Sequence, residues 1–162
     1  GGKLPISLPR HSTRIPCYYS MLPGGDLQFL EGPKGPLYPF GTGLSYCAFE
    51  YSDLKIQKTG PVDAVVSCTV TNSGHLTADE VVQLYMRRVD DVDGPVKALR
   101  AFRRVHVAAG TTEQVQLTLT DREMEWWNPE TNTLCIYPGK YELFVGSSSR
   151  AEDLQALAIT VK

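Results

Sequence analysis

The sequence predicts an all-β fold, a seven-stranded sandwich preceded by an extended strap rich in proline and glycine, on three observations. From about residue 46 onward apolar residues alternate with a period of two. Turn signals cut that stretch at regular intervals, at Gly60-Pro61, Asn72-Ser73-Gly74, Gly94-Pro95, Ala109-Gly110 and Pro138-Gly139. Almost nothing reads as helix. The 162 residues, 42% hydrophobic and 21% charged, have ordinary globular composition, and a unit of this size buries about 68–70% of its unfolded surface without a covalent staple.

Residues 1–37 carry Pro5, Pro9, Pro16, Pro23, Pro33 and Pro36 among four glycines after position 23, a density that forbids a long helix or a central strand. Leu4, Ile6, Leu8, Ile15, Tyr18, Tyr19, Leu22, Phe29 and Leu30 are interspersed, so the segment is no solvated spacer. It reads as a strap that needs a surface to lie on, and without that neighbour its contacts do not offset the entropy of ordering it. The turn Pro39-Phe-Gly-Thr-Gly43 then leads into the β region.

The first strand is expected at about 46–56 and the second at about 62–72. The third, about 80–89, has apolar residues on both faces (Val82, Leu84 and Met86 against Val81 and Tyr85), which predicts a central strand. A loop with Asp90, Asp91 and Asp93 precedes a strand at about 97–107, and 112–120 alternates Val115, Leu117 and Leu119 with polar residues, the pattern of a half-buried strand. Thr120-Asp-Arg-Glu123 is a capping-box pattern for one helical turn. After Trp126-Trp127 and a turn at Asn128-Pro129, a short extended piece at 134–137, a sixth strand at Lys140–Gly146 and a last one at about 153–161 complete the chain. Seven strands spaced by Gly/Pro turns indicate a sandwich of the immunoglobulin or fibronectin type III kind, in which Tyr141 is placed like a tyrosine corner.

Composition and motifs also exclude functions. A net charge of −2 argues against nucleic acid as a partner, and no apolar run approaches the 18 residues that a membrane span needs. The opening Gly-Gly-Lys-Leu-Pro-Ile has no signal-peptide pattern, and the missing initiator Met suggests a processed or excised chain. Cys17, Cys47, Cys68 and Cys135 form no Cys-x-x-Cys pair and no metal-ligand spacing with His11, His75 or His106, so free structural thiols are expected, with one disulfide as the alternative, and no metal or cofactor. Asp90, Asp91 and Asp93 lack the later bidentate Glu of a calcium loop and the apolar wall of a catalytic carboxylate pair. Ser147, Ser148 and Ser149 have no nucleophile elbow. Arg87, Arg88, Arg100, Arg103 and Arg104 fall on adjacent strands as a basic stripe, read as a solvated edge. Trp126 and Trp127 are the best binding candidates, because flat aromatic faces suit stacking on sugar rings or on another protein, with plain packing or domain contact as the alternative; consecutive residues on an extended chain point opposite ways, so one should be core and the other exposed.

Tyr38-Pro-Phe-Gly-Thr-Gly-Leu-Ser-Tyr46 resembles the junction leading into the C-terminal fibronectin type III-like domain of family 3 glycoside hydrolases, the β-glucosidases and β-xylosidases. Gly2–Arg10, Val70–Gly74, Asp79–Tyr85, Pro95–His106 and Pro138–Arg150 are similar to further family motifs, in order and at the family's spacing. The resemblance implies a non-catalytic domain of a retaining, exo-acting enzyme of carbohydrate metabolism, whose nucleophile and acid/base lie in upstream domains. It makes residues 1–37 the end of an α/β sandwich domain and the linker strap, and 38–162 the β-sandwich. The implied partners are those upstream catalytic domains, met through Leu4, Ile6, Tyr18, Tyr19, Phe29, Tyr38 and Phe40. Oligosaccharide bound by Trp126 or Trp127, or another protein, is the alternative. The stretch Trp126–Asn132 is similar to bacterial forms, which leaves a cytoplasmic, periplasmic or secreted parent open.

Overall fold

The computed structural model describes residues 2–23 and 35–162; Phe29 lies outside them. Among the described residues nine strands run antiparallel: β1 Phe49–Lys58, β2 Ala64–Asn72, β3 Ala78–Arg88, β4 Ala98–Val107, β5 Thr112–Leu119, β6 Trp126–Asn128, β7 Thr133–Cys135, β8 Gly139–Gly146 and β9 Leu154–Val161. Seven of them build the two sheets of a sandwich, ordered β1-β2-β5 and β4-β3-β8-β9. The other two, β6 and β7, form a small hairpin that pairs Trp126 with Cys135 and Trp127 with Leu134.

The period-two pattern becomes the core directly. Ala64, Val66, Cys68 and Val70 of β2 and Val115, Leu117 and Leu119 of β5 face Val82, Leu84 and Met86 of β3 and Tyr141, Leu143 and Val145 of β8. Burying each of the larger aliphatic side chains contributes about 1.5–3 kcal/mol. The single helical turn α1, Asp121–Met124, forms as its sequence demands: the Glu123 carboxylate accepts from the Thr120 amide at 2.9 Å and from the Thr120 hydroxyl at 2.6 Å. It turns Met124 inward to close one end of the core. Tyr141 donates its hydroxyl to the Tyr137 carbonyl at 2.6 Å and ties the start of β8 to the chain before it. Asn72, fully buried, donates to the carbonyls of Leu76 and Val107 and accepts from the Gly74 amide, so the Asn-Ser-Gly turn is a satisfied polar plug.

One element departs from the sequence expectation. The first strand starts at Phe49 instead of residue 46, because Tyr46 has no strand to pair with and projects fully into solvent. Its burial pattern is also irregular: the register shifts between Ser52 and Lys55, where Asp53 takes φ 52°, a bulge that bends the edge strand. None of the four cysteines is joined in a disulfide among the described residues, and burial pushes the Cys68 thiol up to about 11.

The strap supplies a third layer. Leu4 and Leu8 hydrogen-bond in extended fashion to the segment 37–42, through Leu4 N to Thr42 O at 2.9 Å, Gly41 N to Leu4 O at 2.8 Å and Leu8 N to Tyr38 O at 2.8 Å. Tyr19 stacks on Phe40 with centroids 4.1 Å apart, and both rings meet the edge of Tyr85, on the face of β3 that points away from the core. This explains why β3 is apolar on both faces: one packs into the sandwich and the other under the strap. The glycines of the turn are fixed by the same packing. A Cβ on Gly41, which holds φ 77°, would lie 2.0 Å from the Gln83 side chain, and one on Gly43 would meet the Gly2 carbonyl oxygen at 2.6 Å. Gln83, itself buried, donates to the carbonyls of Gly41 and Ser147 and so locks the turn to the sheet.

Lys3 completes the attachment. Its ammonium lies 2.9 Å from the Glu80 carboxylate, which is buried on β3 and also accepts from the Tyr51 hydroxyl of β1 at 3.0 Å. One carboxylate thus joins strap and both sheets. Burial first, and the Glu80 charge second, raises the pKa of the Tyr51 phenol.

Candidate functional site

None of the sequence-flagged chemical groups assembles into a catalytic constellation among the described residues. Asp91 pairs with Arg88 at 3.1 Å, and Asp90 accepts weakly from the Lys140 amide across the loop. Ser148 donates to Asp153 at 2.5 Å, and Ser149 donates its amide to the Phe40 carbonyl, so these serines fasten a loop to the turn. Among the described residues no group of three or more His, Cys, Asp or Glu is placed to hold a metal ion. His106 lies 2.7 Å from Asp79, whose carboxyl is held down at about 2 by hydrogen bonds from His106 and then Arg104.

The basic stripe dissolves into separate pairings. Arg87 contacts Glu142 at 2.6 Å, Arg104 pairs with Asp79, and Arg103 donates to the Gln116 carbonyl. Arg88 lies over the Tyr137 ring at 3.7 Å and Arg100 over the Trp126 ring at 4.0 Å. The guanidinium plane on an aromatic face adds to the Asp91 pairing of Arg88 and gives Arg100 its contact.

The two tryptophans separate as an extended chain requires. Trp126 is 7% exposed and packs into the core with one face under Arg100, whereas Trp127 is 55% exposed beside its cross-strand neighbour Leu134. A flat ring is therefore available at Trp127 and closed at Trp126.

The strap residues divide in the same way. Tyr19 and Phe40 are consumed by packing on Tyr85, and Leu4 is half-buried, while Ile6, Tyr18 and Tyr38 remain exposed. Sequence reasoning missed the largest apolar exposures among the described residues: Leu44 at 93% and Tyr46 at 99%, two residues apart on the loop entering β1. The available signal was an apolar pair in Gly43-Leu-Ser-Tyr46, in a loop that opens on a glycine whose position admits no side chain. Ile6 and Tyr38, on the strap and the turn after it, are also exposed, at 56% and 46%.

A two-sheet antiparallel sandwich of seven strands with a tyrosine corner defines a fibronectin type III-like domain. Residues 80–149 match the family model of that description, Fibronectin type III-like domain. The Xylan 1,4-beta-xylosidase of Xylanibacter ruminicola is 40% identical over 99% of this chain, which covers 19% of that enzyme. Among solved structures, the beta-glucosidase of Listeria innocua in complex with glucose superposes with TM-score 0.85 at 32% identity, covering 98% of this chain and 24% of its own. The GH3 beta-glucosidase of Bifidobacterium adolescentis superposes with TM-score 0.73 at 35% identity over 79% of this chain and 19% of its own. The chain belongs to the fibronectin type III-like domains of family 3 glycoside hydrolases. It spans about a fifth of the length of the curated relatives it matches.

Proposed function

We propose that this chain is the non-catalytic β-sandwich of an exo-acting, retaining β-glycosidase, acting on terminal β-linked glucose or xylose, and that it braces the catalytic domains or their oligomer. The observation that carries the reading is the exposed apolar pair Leu44 and Tyr46, which follows a turn hydrogen-bonded to Leu4 and Gln83. Nearly complete exposure of both is unfavourable for a free-standing surface and is relieved when a neighbour covers them. On this reading residues 1–37 close an α/β sandwich domain and cross to the β-sandwich at 38–162; the extended pairing of Leu4 and Leu8 with 37–42 supports it. Ile6 and Tyr38 extend the contact.

The test is a chimera in which this chain replaces the matching segment of the Xylanibacter enzyme. It should retain hydrolysis of an aryl β-xyloside, and Leu44→Asp with Tyr46→Asp should lower its thermal stability while leaving that of the isolated chain unchanged. The isolated chain should turn over neither aryl β-xyloside nor aryl β-glucoside. Turnover by pure chain, or a chimera indifferent to both aspartates, would overturn the proposal.

A second reading, oligosaccharide binding, is favoured by the open face of Trp127 beside Leu134. Saturable glycan binding lost in Trp127→Ala would establish it.

A further inference from the structure

Between the strap and the loop after β8 lies a cleft of about 640 Å³ that the bracing role does not use. Its lining includes Arg10, Tyr18 and Tyr19 from the strap, Lys97 from the loop before β4, and Arg150 and Glu152 from the loop before β9. Arg10 also lines an adjoining cleft of about 460 Å³, so it stands where the two meet. The volume falls within the range of small-molecule sites, about 300–1,000 Å³.

Two of these cations are incompletely used. The Nε of Arg10 is buried and has no hydrogen-bond partner. A buried guanidinium N–H without an acceptor carries its desolvation cost with nothing in return, so the position is incomplete as it stands. Lys97 donates one hydrogen bond to the Ser149 carbonyl, at 2.5 Å, and its ammonium has three N–H groups. Burial, and then the charge of Arg87, lowers the pKa of that ammonium, against which the Glu152 charge raises it. The walls carry Arg10, Lys97 and Arg150 against Glu152 and Asp153, and Asp153 is engaged by Ser148. Glu152 already acts on the Lys97 ammonium, which leaves three cations against two carboxylates and the Arg10 Nε without an acceptor. A planar carboxylate fits best, because its two oxygens match the guanidinium fork.

The aromatic side chains specify what carries the carboxylate. Tyr18, 65% exposed, lines the same cleft beside Tyr19, whose ring is held rigidly by Phe40. Amphipathic rings next to an arginine suit a hydroxylated ring with an apolar face more than a flexible chain. We propose that this cleft binds a uronic acid, an acidic sugar whose carboxylate meets Arg10 and Lys97 and whose ring lies against Tyr18. The proposal is independent of the bracing role, which fails or stands on the chimera.

Calorimetric titration of the full chain with methyl glucuronide and methyl galacturonide, beside methyl glucoside and acetate, tests it. A uronide should bind saturably, at least tenfold more tightly than methyl glucoside or acetate, and added salt should weaken binding. Arg10→Gln should reduce the affinity at least tenfold. Tyr18→Ala, at an exposed position that leaves the fold intact, should weaken the uronide and leave any acetate binding unchanged. Absence of saturable uronide binding, equal binding of acetate or of an acidic peptide, or affinity unchanged in a folded Arg10→Gln variant would each overturn the proposal.

Discussion

Replacing Lys3 by methionine removes one partner of the buried pair that joins the strap to both sheets. Breaking a fully buried pair from one side costs about 3–5 kcal/mol, because the remaining charge stays desolvated. Two features reduce that here: the Lys3 side chain keeps 17% exposure, and Glu80 still accepts from Tyr51. We therefore expect Lys3→Met to lose about 2–3 kcal/mol, which for a chain of this size lowers the thermal midpoint by roughly 5–10 °C. Removing the stranded charge as well, in Lys3→Met with Glu80→Gln, should recover most of the loss, since glutamine can accept from Tyr51 and carries no charge. Urea denaturation followed by tryptophan fluorescence measures all four corners of the cycle, and a coupling of about 1.5 kcal/mol or more is expected, within the range for residues in contact. Hydrogen exchange at the Leu4 and Gly41 amides, whose bonds depend on the strap lying in place, should accelerate in the single variant. A Lys3→Met chain within about 0.5 kcal/mol of the parent would refute the reasoning, since that is the range of an ordinary surface substitution. A double variant as damaged as the sum of the singles would do the same.

Other expectations concern single groups. Tyr141→Phe should keep the fold and cost about 1 kcal/mol, the worth of one hydrogen bond, because the Tyr137 carbonyl loses its donor; a loss below about 0.3 kcal/mol would leave the corner without a role. The Asp79 carboxyl should titrate near 2 by NMR and move toward 3.8 in His106→Ala, as the largest cause of its depression is removed. Its contribution to stability is present above its unfolded value and is lost as the pH falls through about 2. Tyr51 and Tyr85 have pKa values raised mainly by burial, so their unfolded forms ionise first; stability should fall as the pH rises above about 10. Tyr51→Phe should flatten that alkaline slope, and an unchanged slope would assign it to other groups.

The sequence made the sandwich legible because period two survives wherever a strand has one wet face and one dry face, as in β2 and β5. It made β3 legible as central because both faces are apolar, but not what covers the second face. Tyr19, Phe40 and Tyr85 are far apart in the chain and follow no shared period, so their stacking belongs to tertiary packing that no local window contains. The β6–β7 hairpin escaped for a different reason: three residues a side are too few to display alternation, although the opposite orientation of Trp126 and Trp127 followed from extended backbone alone. Tyr46 misled because β-propensity favours an aromatic residue wherever the backbone is extended, while strand membership requires a partner. The same residue, unpaired and fully exposed, then becomes informative. An apolar side chain that the fold leaves outside, just after a turn hydrogen-bonded to Leu4 and Gln83, points to a surface shaped before its partner arrives. That argument needs the exposure of Leu44 and Tyr46 and the hydrogen bonds of that turn together, and only the folded chain supplies both.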